Sequence, residues 1–173
     1  MKINSLSLFD NVNDYIYIDA NVFHFAIRGI GHVGDICTNF LRKVESGYIR
    51  AVTSPLVLDE LMYKLLLKLI EEEYGSNPLK ILRSSRKVDK SIFERVANMI
   101  ATIVRIKNLE ILDIPKSIIY IMPSNFKRYQ LLPRDTLHIS LMEIYDIKNI
   151  ASADTDYDTV DWITRWTPLE EQT

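Results

Sequence analysis

Apolar positions along this chain fall in short blocks set off by polar punctuation, and the spacing inside the blocks alternates between two kinds. Positions 15–18 read Tyr-Ile-Tyr-Ile between Asp14 and Asp19, too compact for a helix, and predict a buried strand. Positions 21–28 predict a short helix ended by the pair Gly29 and Gly31. Positions 35–46 have helical spacing, with Ile36, Phe40, Leu41 and Val44 on one side and Gly47 as the stop. A second strand is expected at 48–53. Ser54 then caps, and Pro55 opens, a long helix reaching about Tyr74, its stripe made of Leu58, Leu61, Met62, Leu65 and Leu69.

The stretch 71–90 is irregular and reads as a turn, a short helix and another turn. Helical spacing resumes at 91–107, a third strand follows at 109–112, and 116–130 is a helix or loop. A clear helix at 133–145 leads to a fourth strand at 149–152, a turn or short helix at 155–160 and a fifth strand at 162–166. Strands alternating with helices of ten or more residues indicate crossover units and a parallel sheet. The predicted fold class is α/β, a single domain over 1–173 with about five strands and helices on both faces.

Composition narrows the class without naming a task. The 173 residues are 47% hydrophobic and 25% charged, with five Gly and six Pro, which excludes disordered, collagen-like and disulfide-scaffold chains. Lys and Arg number 21 against 23 Asp and Glu, a net charge of −2, so no general attraction to nucleic acid or anionic membrane exists. Cys37 is the lone cysteine, which rules out an intrachain disulfide and a cysteine-based zinc site and fits a small buried residue. With no apolar run near the ~18 residues of a membrane span and no secretory leader, the expectation is a soluble, cytoplasmic protein.

The informative feature is where the acids fall. Asp19 follows the first predicted strand, Glu60 lies in the second turn of the helix after the second, Asp135 is in the first turn of the 133–145 helix, and Asp154 follows the fourth strand. In an open parallel sheet those places share one edge, the edge where ligands bind. Clustered carboxylates repel, each pair at ~4 Å by about 4 kcal/mol at an effective dielectric near 20. A cation relieves that repulsion, and oxygen ligands without Cys or His favour Mg²⁺ or Mn²⁺ over zinc. Mg²⁺ commonly bridges to substrate phosphate, which points to phosphodiester chemistry. Singly, each acid has an ordinary role: a helix cap for Asp19, a solvated face for Glu60 beside Asp59, a dipole partner for Asp135 and a polar turn for Asp154, Asp156 and Asp158. The ordered set carries the reading.

Those residues also resemble a known family. Tyr17-Ile18-Asp19-Ala20-Asn21-Val22-Phe23 is similar to the opening motif of PIN-domain ribonucleases, an apolar strand ending in Asp-x-Asn. The segment from Thr53 to Glu60, with Ser54 after the strand and the acid in the helix, resembles their second motif. Pro133-Arg134-Asp135 resembles the third, and Ser152-Ala153-Asp154-Thr155-Asp156-Tyr157 the fourth. Two departures stand out: a longer helical region around 64–107, and Leu141-Met142-Glu143 where small residues are usual.

The resemblance implies a three-layer α/β/α sandwich and metal-dependent cleavage of RNA, leaving 5′-phosphate and 3′-hydroxyl ends. It also implies frequent homodimers and, in VapC-type toxins, a partner antitoxin. On this reading Asp19, Glu60, Asp135 and Asp154 hold one or two Mg²⁺ or Mn²⁺ ions, partly through water, with Asp156 a fifth ligand or supporting acid. Asn21, Ser54 and Ser152 orient ligands or waters, Ser54 doubling as a helix cap. His138 is expected to be packed beside the site, and His24 and His32 to matter only locally.

Arg28, Lys127, Arg128 and Arg134 are candidate phosphate contacts, although a solvated surface is their more common fate. Phe126 and Tyr129 are candidates for base stacking, with core packing expected of one of them. Aspartate-based phosphatases would need Asp-x-Asp at the first strand, and receivers an acid pair there and a late lysine; neither pattern is present. The alternatives retained are a non-catalytic PIN-like module binding RNA or protein, and a PIN-type nuclease acting on DNA. RNA is preferred on the family resemblance alone.

Overall fold

Ile16, Tyr17 and Ile18 are sealed from solvent on both sides, as a strand in the middle of a parallel sheet must be. A computed structural model describes residues 2–10, 13–29, 31–84 and 88–169. Its strands are β1 (Lys2–Ser5), β2 (Ile16–Ile18), β3 (Ala51–Thr53), β4 (Leu109–Ile111), β5 (Asn149–Ala151) and β6 (Thr164–Thr167). Its helices are α1 (Ala20–Arg28), α2 (Gly31–Glu45), α3 (Pro55–Tyr74), α4 (Pro78–Arg83), α5 (Lys90–Val104), α6 (Ile118–Tyr129) and α7 (Pro133–Ile144). Thr155–Thr159 forms a short 3-10 turn after β5.

The sheet runs β1-β6-β5-β2-β3-β4 with every pair parallel. From β2 the chain steps outward to β3 and β4, then returns across β2 to β5. Right-handed crossovers taken in opposite directions place their helices on opposite faces, so α1–α5 cover one face and α6 and α7 the other. This is the expected α/β/α sandwich, with six strands where about five were predicted. The additional strand, β1, pairs Lys2 with Thr164 and Ser5 with Thr167 at the sheet edge. Of its residues Lys-Ile-Asn-Ser, the first is exposed and the others only partly buried, and they lack the apolar run that betrays a central strand.

Several boundaries moved for local reasons. The helix expected at 35–46 already begins at Gly31, because Gly34 lets α2 pass against the end of α1: a Cβ there would sit 2.9 Å from the Gly29 carbonyl carbon. The strand expected from 48 begins at 51. Gly47, at φ +80°, turns the chain so that the Tyr48 and Ile49 amides donate back to the Lys43 carbonyl. The last strand is Thr164–Thr167, not 162–166. Met62 leaves the predicted stripe and is exposed, while Val57, Leu61, Leu65, Leu69 and Ile70 face the core. In the irregular stretch α4 supplies the short helix; positions 85–87 lie outside the described residues.

The ambiguous 116–130 segment is helical despite Pro123 inside it. Its buried Asn125 donates to Ser140 Oγ at 3.2 Å and to Glu143 Oε2 at 2.7 Å, tying α6 to α7. Glu143, the departure noted in the third motif, thus serves that tie, with Leu141 and Met142 fully buried beside it. Under the sheet edge Phe9 is fully buried and meets Trp166 edge-on at 4.8 Å and Phe40 at 6.3 Å. Burial of each such side chain contributes about 1.5–3 kcal/mol.

Candidate active site

The chain reverses its direction of crossover between β2 and β5, and a ligand crevice opens at such a switch point beyond the strand C-termini. Asp19 stands there. It caps α1, Oδ1 accepting from the Ala20 amide at 2.6 Å, so the ordinary reading of this residue is true as far as it goes. Its other oxygen does something a cap does not need. Oδ2 accepts from Ser152 Oγ at 2.6 Å and from Asn21 Nδ2 at 2.5 Å, across the gap to the end of β5. Asn21 also donates to Ser152 Oγ at 2.9 Å and accepts from the Ala153 amide at 3.0 Å, and the Asp154 amide donates to Ser152 Oγ at 3.0 Å. Burial pushes the Asp19 carboxyl above its ordinary range, opposed by the neighbouring His138 ring and the Ser152 hydrogen bond.

Glu60 enters from α3. Ser54 is the N-cap of that helix, and its Oγ lies 3.5 Å from the Val57 amide and 2.6 Å from Tyr17 Oη. Glu60 Oε1 pairs with Lys64 Nζ at 2.6 Å, and Oε2 faces His138 Nε2 at 3.8 Å. The His138 ring and then the Lys64 ammonium hold the Glu60 carboxyl down at about 2, against the opposing effect of burial. At 3.8 Å the imidazole stands beyond hydrogen-bond length, so it acts on Glu60 through its field and not through a formed bond.

Asp135, half-buried in the first turn of α7, is pushed up to about 6 by burial and next by the charge of Asp154, with Asp19 and Glu60 adding to the effect. Tyr157 Oη approaches its Oδ1 at 3.5 Å. Asp154 caps the 3-10 turn, its Oδ1 accepting from the Asp156 amide at 2.9 Å. Asp156 is exposed. The four acids picked out by position therefore share one electrostatic neighbourhood, with Asp156 at its rim. Asp158 does not join them: buried Arg165 on β6 grips it, Nε to Oδ1 at 2.5 Å and Nη2 to Oδ2 at 2.8 Å, and donates Nη1 to the Ser152 carbonyl at 3.3 Å.

Two further side chains, Tyr17 and Arg165, belong to the site. Tyr17 has a signal: strand side chains alternate, so it shares a face with Asp19. Arg165 has one as well: it keeps step with Ile163 on the inward side of the last expected strand, where a buried arginine needs an acid partner. The candidate phosphate contacts are engaged with carboxylates: Arg28 with Glu72 at 2.5 Å, Arg128 with Asp161 at 2.9 Å and Arg134 with Asp59 at 3.1 Å. Lys127 is exposed. Tyr129 is buried and Phe126 exposed, the split expected of that pair. Cys37 is buried, its thiol pushed up to about 12 by that burial.

Among the described residues, no group of three or more His, Cys, Asp and Glu side chains stands arranged to hold a metal ion directly. The donor set still suits a hard divalent cation: the site acids offer only oxygen, and their mutual repulsion is felt most at Asp135. Mg²⁺ retains several waters and takes one or two carboxylates directly, so the remaining acids can serve through water.

Comparison with known proteins follows the same lines. A family model described as PIN domain matches residues 16–163. Ribonuclease VapC6 of Methanocaldococcus jannaschii is 26% identical over 122 residues, covering 70% of this chain and 78% of that protein. Among solved structures, VapBC2 from Rickettsia felis, bound to a DNA fragment from its promoter, superposes with a TM-score of 0.58 at 14% identity, covering 88% of this chain and 98% of its own. A toxin-antitoxin complex from Klebsiella pneumoniae superposes with a TM-score of 0.53 at 13% identity, covering 90% and 98%.

Proposed function

The chain belongs to the PIN-domain family, and from that premise we propose that it is a metal-dependent endoribonuclease hydrolysing RNA phosphodiester bonds, of the toxin type restrained by a partner antitoxin. The observation that carries this reading is the joining of Asp19 to Ser152 and Asn21 across the switch point, which sets Asp154 beside Asp135 and Glu60 in one acidic crevice. The name of the VapC6 relative supports RNA as substrate, and the Klebsiella complex supports an antitoxin.

Asp19, Glu60, Asp135 and Asp154 would hold one or two Mg²⁺ or Mn²⁺ ions, with Asp156 at the outer margin. When bound, such an ion lowers the pKa of water and stabilises charge on phosphate oxygens. The chain's own residues do the rest. Ser152 and Asn21 fix Asp19 Oδ2, and the Arg165–Asp158 clamp fixes the loop that carries Ser152 and Asp154. Asp135, pushed up to about 6, would release its proton to solvent on holding such a cation. Arg134, whose pair with Asp59 is exposed and so worth little, would exchange that contact for phosphate. Homodimer formation and a cytoplasmic setting belong to the same proposal.

The test is cleavage of a mixed single-stranded and structured RNA pool with Mn²⁺, Mg²⁺ or EDTA, beside Asp19→Asn prepared identically. Metal-dependent cutting by the wild type, reduced at least ~100-fold in the variant, is the expected result. Equal cutting by both overturns the site assignment, and absence of both cutting and metal binding overturns the enzyme.

A further inference from the structure

Behind the acids, a line of buried polar groups runs through the core. Tyr17 Oη lies 2.6 Å from Ser54 Oγ and 2.8 Å from His138 Nδ1. The other end of the imidazole is the anomaly. His138 Nε2 is buried, has no hydrogen-bond partner among the described residues, and stands 3.8 Å from Glu60 Oε2. A buried polar atom without a partner is uncommon enough to require a reason.

Counting hydrogens supplies one. Ser54, Tyr17 and a neutral imidazole bring one hydrogen each to this line. If His138 carried its hydrogen on Nδ1, Tyr17 would accept it and donate to Ser54. The Ser54 hydroxyl hydrogen would then have no acceptor, and an Nε2 lone pair would face a carboxylate. With the hydrogen on Nε2 the line closes: Ser54 donates to Tyr17, Tyr17 donates to Nδ1, and Nε2–H points at Glu60. The free lone pair of Ser54 Oγ receives the Val57 amide.

We propose that Tyr17 and His138 are positioning residues for Glu60: the Ser54-to-Tyr17-to-His138 line fixes the Nε2–H tautomer and aims it at that carboxylate, holding it in place for a divalent cation. The line joins β2, the start of α3 and α7, the three elements that deliver Asp19, Glu60 and Asp135. This inference rests on the metal-dependent reading above.

Two measurements test it, neither of them activity. Long-range nitrogen NMR of the metal-free protein should find His138 in the Nε2–H tautomer; the Nδ1–H tautomer overturns the proposal. Mn²⁺ titration of RNA-free protein, followed by electron paramagnetic resonance, should show roughly tenfold weaker binding in Tyr17→Phe and His138→Leu. His138→Gln, which keeps an N–H near the Nε2 position, should stay within about threefold of wild type. Thermal melts verify that each variant is folded, and Tyr17→Phe, which removes one oxygen, carries the test if His138→Leu does not fold. Wild-type affinity in folded Tyr17→Phe and His138→Leu, or binding by Gln as weak as by Leu, overturns the positioning role alone. A wild type that binds no Mn²⁺ overturns the metal reading and the positioning role with it.

Discussion

Asp135 carries the charge conflict of the crevice. Its carboxyl is raised from 3.8 to about 6, so the folded state favours the protonated form, and stability is lost as pH rises from about 4 through about 6. Glu60, held down at about 2, acts oppositely only below its ordinary 4.5, whereas partly buried His24, lowered by that burial and by Lys64, acts oppositely within pH 5 to 7. The Asp135 contribution is therefore read against Asp135→Asn: between pH 5 and pH 7 metal-free wild type should lose a few degrees of melting temperature relative to that variant. Asp135→Asn should melt higher than wild type at pH 7, its residual pH dependence coming from Asp19, raised by its own burial, and from His24. Calorimetry in EDTA checks this, and a variant less stable than wild type at pH 7 contradicts the repulsion. The acids themselves were legible in the sequence because strand ends and helix starts fix where a residue sits. The contact between Tyr17 and His138 was not, since it spans 121 positions and leaves no local pattern.

At the scale of elements, the crossing of α1 and α2 depends on a missing side chain. Gly34→Ala would set a Cβ 2.9 Å from the Gly29 carbonyl carbon, against backbone that has little room to move. The expected cost is about 1–3 kcal/mol, an overpacking penalty larger than the gain in helix propensity, read as a lower urea midpoint with unchanged slope. The pattern of apolar positions did predict α3, α5, α7 and the central strands, whose burial imposes a strict period. It failed where burial is partial. β1 is an edge strand with polar alternation, and Met62 fits the helical period yet lies on α3 where α5 leaves it uncovered. Gly34, inside α2, marks a close approach that only the partner helix reveals.

For the molecule as a whole, the like charges gathered at one sheet edge make stability depend on what neutralises them. A divalent cation that binds the folded state alone, at 100 times its dissociation constant, adds about 2.7 kcal/mol, or roughly 5–10 °C in melting temperature for a chain of this size. Mg²⁺ or Mn²⁺ at pH 7 should produce that rise, EDTA should reverse it, and a variant combining Asp19→Asn with Asp135→Asn should show neither. The Asp19–Ser152 hydrogen bond has a consequence of another sort, in time. Its partners lie 133 positions apart, and β2 acquires β5 as a neighbour only after everything between them has been made. Loops of that length close late, and parallel pairings between distant segments are slow to form. A chain still on the ribosome therefore holds Asp19 and Glu60 without the residues that complete their surroundings. Until β5 and the loop after it join the sheet, the acid cluster lacks Ser152 and Asp154, so its assembly is timed by the closing of the sheet and not by the making of its first members.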